Sequence, residues 1–221
     1  MKTFVVIAAY NEEEHVGDVV RDVKKHGYTV VVVDDGSVDG TVREAKKAGA
    51  LVLSCPINRG QGSALRTGIA YALDHGAEVI VTYDADGQFV ADELPHLIGP
   101  ISAGEADVVL GSRYLEKKAV NLSVQKRLAH TLGRIWTWLF SGRWYSDPQC
   151  GLRALNAHGA RSIRMTIDRY THASEILDEI ARHRLRVREV PVTVIYHRRG
   201  QSSLAAITIG VRMLIRKVVE W

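Results

Sequence analysis

The sequence is poor in several features, and each shortage removes a class of function. Its only cysteines, Cys55 and Cys150, lie far apart in 221 residues. They form neither a CxxC pair nor a disulfide framework, which points to a reducing compartment. No segment reaches the roughly 18–20 uninterrupted apolar residues that a membrane-spanning helix needs. The nearest candidate, "LAAITIGVRMLIRKVVEW" at 204–221, is broken by Arg212, Arg216 and Lys217. There is no G-x-x-x-x-G-K-[ST], and no G-x-G-x-x-G follows the first strand; "GQGSALRTG" comes later and lacks the third glycine at that spacing. ATPase and dinucleotide-dependent dehydrogenase chemistry therefore lose their sequence support. The five prolines mark no linker, and no repeat or low-complexity tract interrupts the chain, so it reads as one domain. An excess of one charge is missing too. The net charge of +4 suits phosphates or an anionic membrane surface, and no nucleic-acid partner is expected.

The N-terminal "MKTFVVIAAYNEEEH" has a lysine and an apolar run, as a signal peptide does. The run is too short, and acidic residues stand where cleavage would occur, so it reads as a first buried strand. Apolar residues make up 46% of the chain and charged residues 24%, enough for a full core.

The first hundred residues alternate regularly. Strand "TFVVIAAY" (3–10) precedes a helical pattern in which Val16, Val19, Val20 and Val23 share a face. Asn11 is the expected N-cap of that helix and Gly27 its C-terminal stop. "TVVVVDD" (29–35) is a second strand, whose valine run implies burial on both faces. Helix 38–48, strand 50–54, helix 62–75, strand 78–83, helix 91–101 and strand 106–110 follow. This order predicts an α/β domain with a mostly parallel sheet and right-handed crossovers. Beyond residue 111 the beat is lost: helices are expected over 123–140 and 174–184, short strands over 186–190 and 192–197, and a last amphipathic helix from 204.

In parallel sheets ligands bind beyond the carboxyl ends of the strands. Asn11, Asp34, Asp35, Asp84 and Asp86 all fall at such ends. In "DADGQ" (84–88) two carboxylates one residue apart can turn toward one hard divalent cation, Mg²⁺ or Mn²⁺. Gln88 adds a carbonyl oxygen, and Gly87 permits the turn. An Asx-rich turn capping the next helix would use the same residues. In "VVVDDGSVDGT" (31–41) a carboxylate can accept a nucleobase N–H or a ribose hydroxyl, or can cap a helix opening at Gly36-Ser37. Two acidic strand tips in one sheet together suggest a nucleoside diphosphate lying across its edge.

"AAYNEEEHV", "VVVDDGSVDGT", "NRGQGSALRTGI", "DADGQF", "GSRY" and "SDPQCGLRAL" resemble, in order and spacing, the family 2 glycosyltransferases. The similarity is greatest to their dolichyl-phosphate mannosyltransferase-like (polyprenyl-phosphate glycosyltransferase) branch, and it covers nearly the whole chain. The resemblance implies a single-domain A-type glycosyltransferase fold (GT-A), a mostly parallel, Rossmann-like sheet flanked by helices. It implies inverting transfer of a sugar from a GDP- or UDP-sugar to polyprenyl or dolichyl phosphate, with Mg²⁺ or Mn²⁺. On that basis residues 1–203 are the catalytic domain, 1–111 the nucleotide-sugar half and 112–203 the acceptor-side half, and 204–221 is a membrane-interfacial helix.

Carried over by position, the resemblance implies that Ala9, Tyr10, Glu12 and Asp34 surround the nucleoside. Asp84, Ala85, Asp86 and Gln88 handle the diphosphate, with Asp84, Asp86 and Gln88 toward the metal. Arg113 and Arg127 face phosphates, and Asp147 and Gly151 lie beside the transferred sugar; Asp86, Asp147, Arg113 and Arg127 form the catalytic set. Arg113, Arg127, Arg198 and Ser202 are the residues expected at the acceptor phosphate. Two departures stand out: Ala9 replaces the usual proline, and Ser203 in "YHRRGQSSL", after His197, Arg198 and Arg199, replaces a common lysine.

A phosphate monoester acceptor loses its second proton near ~6 and is nucleophilic at neutral pH, so it needs basic residues more than a base. The basic stretch "EKKAVNLSVQKR" (116–127) suits that. A hydroxyl acceptor would require a general base, for which Asp147 is the candidate. Leu128, Leu132, Ile135 and Leu139 form a stripe near Trp136 and Trp138, and Leu204, Ile207, Val211, Leu214 and Val218 form another beside basic residues. Such faces suit a membrane interface, or packing on a core or a second subunit. The expected location is peripheral, on the cytoplasmic face of a membrane. The rival functions are transfer to a soluble hydroxyl or phospho acceptor, and a non-catalytic nucleotide-sugar-binding regulator.

Overall fold

In the computed structural model, residues 1–116, 119–120, 143–166 and 172–195 are described. The expected helix over 123–140, Arg127, Trp136, Trp138 and everything from 196 onward, including Arg198, Ser202 and the final helix, lie outside the described residues.

Strands β1 (Thr3–Ala9), β2 (Thr29–Asp34), β3 (Leu51–Ser54), β4 (Val79–Asp84) and β5 (Val108–Ser112) form where the valine-rich runs predicted them. Between them lie α1 (Val16–Lys25), α2 (Thr41–Lys47), α3 (Gln61–Asp74) and, after a single 3₁₀ turn at Ala91–Glu93, α4 (Leu94–Ser102). The second half contributes β6 (Ala119–Val120), β7 (Arg153–Asn156), α5 (Ala157–Ser162), α6 (His172–Arg182), β8 (Val187–Pro191) and β9 (Val194–Ile195).

A seven-stranded sheet runs in the order β3-β2-β1-β4-β7-β5-β8, and β6 pairs with β9 beside it. Neighbours are parallel except β7, which runs antiparallel to both β4 and β5. Strand alternation divides the core into two layers. Val5 and Ile7 of β1 pack with α1 and α4 on one face; Phe4 and Val6 pack with α3, α5 and α6 on the other. Both faces of the sheet are covered, as the continuous valine run of β2 requires.

Two expectations need correction. Asn11 does not cap α1: the backbone N–H groups of His15 and Val16 both donate to the Glu12 carbonyl, and the helix begins only after His15. Asn11 instead takes a positive φ of 54°, and its Oδ1 accepts from the Val38 N–H, tying the loop after β1 to the loop after β2. Nor does a helix open at Gly36-Ser37; α2 starts at Thr41 behind Gly40.

At the edge of the sheet away from the strand carboxyl ends, Asp107 locks three strands together. Its carboxylate accepts from Arg186 N, Nε and Nη2 and from Asn156 Nδ2, at 2.8–3.1 Å. The Arg186 guanidinium outweighs burial and holds this carboxyl well below the usual carboxylate range. Asp107→Ala should destabilise the fold by about 2 kcal/mol, allowing for the exposed Arg186 side chain. Because the folded pKa is depressed, this contribution is complete above the unfolded carboxyl value near ~4 and fades as pH falls below it. Urea melts should therefore show the gap between wild type and variant narrowing from pH 5 to pH 3. A gap independent of pH would remove the ion pair from the explanation.

Candidate active site

Parallel register brings the strand tips into line. Ala9 stands opposite Asp34, Ala8 opposite Asp84, and Asp34 opposite Ser54. The position of β7 is what completes this edge. An antiparallel strand begins where its parallel neighbours end, and Arg153, its first residue, pairs with Thr82 of β4 and Leu110 of β5. The segment 147–152 that leads into β7 is therefore delivered to the carboxyl edge of β4 and β5. Thr82 Oγ1 donates to the Gly151 carbonyl at 2.7 Å, and the Gly111 N–H donates to the Leu152 carbonyl at 2.9 Å, so this lead-in is fastened on both sides.

At the β2 tip, Asp34 is buried and accepts from the Ser37 N–H at 3.1 Å. Asp35, also buried, faces the other way: its two oxygens accept from the Arg59 and Gly60 N–H groups at 2.9 and 2.6 Å. Asp35 thus fixes the start of α3 and is not free to bind a ligand. Beyond β1, Tyr10 is exposed and Glu12 half-buried, with the Glu12 N–H held by Thr41 Oγ1 at 2.8 Å.

At the β4 tip, Asp84 Oδ1 accepts from Gln61 Nε2, the first residue of α3, at 2.8 Å. Its other oxygen abuts Gly151, where an added Cβ would come within 2.4 Å of Oδ2; only glycine fits there. Ala85 is buried, and Gly87 takes the positive φ that the turn needs. Asp86 accepts from the Gln88 N–H at 3.1 Å and from Gln88 Nε2 at 2.6 Å. The Gln88 amide therefore turns its NH₂ toward Asp86, where the sequence suggested a carbonyl oxygen for a metal.

Three carboxyl groups, Glu12, Asp84 and Asp86, converge here, and the raised pKa values of Asp84 and Glu12 record it. Burial, then the Asp86 charge, push Asp84 up to about 6 against the opposing pull of Arg153, Gln61 and Arg113. Burial, then Asp86, Asp39 and Glu14, push Glu12 up to about 7. Carboxyls that resist ionisation because they crowd one another form a place where a cation is favoured. Among the described residues no group of three or more His, Cys, Asp or Glu is disposed to hold a metal by itself. The Asp84–Asp86 pair nevertheless fits a hard cation that takes one or two carboxylates and completes its shell with substrate phosphates.

Just past β5, the buried Arg113 donates from Nε to Asp147 Oδ2 at 2.5 Å, and its backbone N–H reaches the same oxygen at 3.2 Å. The side chains are 9% and 1% exposed, which makes this a desolvated ion pair whose Asp147 is committed to orienting Arg113. Cys150 beside it is pushed up to about 12, by burial and then by Asp147, and is inert as a nucleophile.

The structure thus gathers Ala9, Glu12, Asp34, Asp84, Ala85, Asp86, Gln88, Arg113, Asp147 and Gly151 along one edge, with Tyr10 at its rim. Reading the sequence missed Gln61 and Arg153, both of which act on Asp84. An arginine set in the apolar "GLRAL" was the available signal for the second.

The profile of Glycosyl transferase family 2 matches residues 4–170. The UDP-N-acetylglucosamine–dolichyl-phosphate N-acetylglucosaminyltransferase of Methanococcus voltae is 30% identical over 234 residues, covering 96% of this chain and 93% of that protein. The polyprenol monophosphomannose synthase of Mycolicibacterium smegmatis is 30% identical over 236 residues, covering 100% and 86%. Among solved structures, glucosyl-3-phosphoglycerate synthase from Mycobacterium tuberculosis, in complex with Mn²⁺, UDP-glucose and phosphoglyceric acid, superposes with a TM-score of 0.74 at 21% identity, covering 92% of this chain and 74% of that one.

Proposed function

The chain belongs to glycosyl transferase family 2 and has the A-type glycosyltransferase fold, and from that premise we propose that it moves a sugar from a nucleoside-diphosphate donor to a polyprenyl phosphate, with inversion and with Mg²⁺ or Mn²⁺ as cofactor. The observation that carries the reading is the meeting of two opposite electrostatic features at one sheet edge. The acidic crowd of Glu12, Asp84 and Asp86 suits a cation, and the buried Arg113–Asp147 pair suits an anion.

Asp34, beneath the β2 tip, receives the nucleoside, with Tyr10 at the rim. Asp84 and Asp86 would hold the divalent ion, which supplies charge neutralisation for the departing diphosphate. Arg113, held in one orientation by Asp147, places positive charge where the leaving or attacking phosphate carries negative charge, and charge-assisted hydrogen bonds of this kind are the strong ones. An acceptor phosphate ionised at neutral pH attacks without a protein base. The two relatives named above act, by their names, on dolichyl phosphate and on a polyprenol; this supports a lipid phosphate acceptor here. They differ in the sugar, so the sugar is not assigned.

Among the described residues no helix is long and apolar enough to cross a membrane. Peripheral attachment to a membrane is supported by the sequence stripes near Trp136 and in 204–221, and by exposed Leu115 and Trp144 on the loops that carry Arg113 and Asp147.

The test uses labelled GDP-mannose and UDP-N-acetylglucosamine with undecaprenyl phosphate in detergent and Mn²⁺. Label extracted into butanol is the expected result. If lipid phosphate is never glycosylated while a soluble hydroxyl or phospho compound is, the acceptor half of the proposal is wrong.

A further inference from the structure

Arg153 is 2% exposed, a full-length guanidinium in the centre of the sheet. It opens β7, between Thr82 and Leu110, so it lies under the two loops that carry Asp84 and Asp147. The carboxylates whose charge acts on it are Asp84 and Asp147. Asp147 is already bonded to Arg113 and Asp84 to Gln61. One terminal nitrogen of the guanidinium, Nη1, has no hydrogen-bond partner among the described residues. A buried cationic donor left unmatched is costly, and cores rarely keep one without a reason. Its chain neighbours Leu152, Ala154 and Leu155 are buried and apolar, so the charge at this position stands out.

We propose that Arg153 is a positioning residue of the transfer site, a permanent buried cation shared by Asp84 and Asp147 that fixes the metal-side carboxylate relative to the Arg113 side. An arginine suits this task for two reasons. It does not lose its proton, so the counter-charge is constant. Its planar, delocalised guanidinium spreads positive charge toward two carboxylates, one ending β4 and one in the lead-in to β7, more evenly than the point charge of a lysine ammonium. The arrangement also links the two halves of the site: Gln61 holds Asp84 from the α3 side, Gly151 seats its other oxygen, and Arg153 lies below both Asp84 and the Asp147 that orients Arg113. The inference rests on the functional reading above.

The experiment compares Arg153→Lys and Arg153→Met with wild type in donor turnover, UDP and GDP binding by calorimetry, and thermal melting. Arg153→Lys should melt cooperatively and, in the absence of metal, bind the nucleoside diphosphate within threefold of wild type, because Asp34 and the β2 tip are untouched. Its kcat should nonetheless fall at least tenfold, and that of Arg153→Met at least a hundredfold, with little change in donor KM. A lysine variant with kcat within threefold of wild type overturns the proposal. So does a lysine variant that loses its cooperative melt, or whose metal-free nucleotide affinity falls in parallel with kcat, since Arg153 would then serve the fold as a whole. If the methionine variant does not fold, the lysine variant alone decides. Wild-type enzyme that turns over no nucleotide-sugar would overturn the functional reading and this inference with it, whereas an active wild type beside an equally active Arg153→Lys overturns the inference alone.

Discussion

Asp86→Ala should leave a folded protein that transfers sugar at least about a hundredfold more slowly, a loss of about 3 kcal/mol of transition-state stabilisation. The expectation of intact folding comes from what Asp86 touches. Asp86 accepts from the Gln88 N–H and Nε2 within the same turn, and it is half-buried at the sheet edge. Its charge also raises the pKa values of Asp84 and Glu12, so removing it relieves repulsion. Thermal stability should thus stay level or rise while activity collapses, the signature of a residue kept for function at a cost to the fold. Mn²⁺ should no longer increase UDP or GDP binding. Near-normal turnover of the variant at ordinary Mn²⁺ would falsify the assignment of this loop to the metal.

That opposition between stability and function was partly visible in the sequence. The valine runs of β1 and β2 and the buried β4 identified parallel strands, and parallel strands must end together, so the acids after them had to meet. Register bears this out, with Ala9 opposite Asp34 and Ala8 opposite Asp84. What hydrophobic pattern could not show was β7. Its four residues, "RALN", are too few for a periodic signal and begin with an arginine, so the sequence predicts no strand there. Their place between β4 and β5 is decided by tertiary pairing. The start of α1 was misjudged for a different reason. Asn11 has the chemistry of a cap, but a turn closed on the Glu12 carbonyl delays the helix and leaves the Asn11 side chain to join two loops. The acidic site was legible as composition at strand ends. The buried network beneath it, with Gln61, Gly151 and Arg153 around Asp84, depends on contacts between segments far apart in the chain.

The chemistry of the acceptor can be read from the Arg113–Asp147 pair. Arg113→Ala should reduce transfer on the order of a thousandfold, because it removes a buried positive charge from the side of the site proposed to face phosphate. It also leaves the Asp147 carboxylate buried without its partner, a change that typically costs ~3–5 kcal/mol of stability, so Arg113→Ala/Asp147→Asn serves as the folding control. Asp147→Asn by itself is the informative variant. If the acceptor is a phosphate already ionised at neutral pH, Asp147 only orients Arg113, and an asparagine Oδ1 can still accept from Arg113 Nε. The loss should then be about tenfold. Rates for wild type and Asp147→Asn alike should rise with pH through the acceptor's second ionisation near ~6 and then flatten. If the acceptor is a hydroxyl, Asp147 is the base that removes its proton. Asp147→Asn would then be as inactive as Arg113→Ala, and the acid limb of the wild-type profile would belong to the enzyme. Measuring both variants from pH 5 to pH 9 with undecaprenyl phosphate separates the cases. A shared acid limb that keeps its position as Mn²⁺ is raised to saturation, which would move any limb due to Asp84 or Glu12, together with mild loss in Asp147→Asn, means that the nucleophile brings its own charge and that the buried pair exists to aim Arg113 at it.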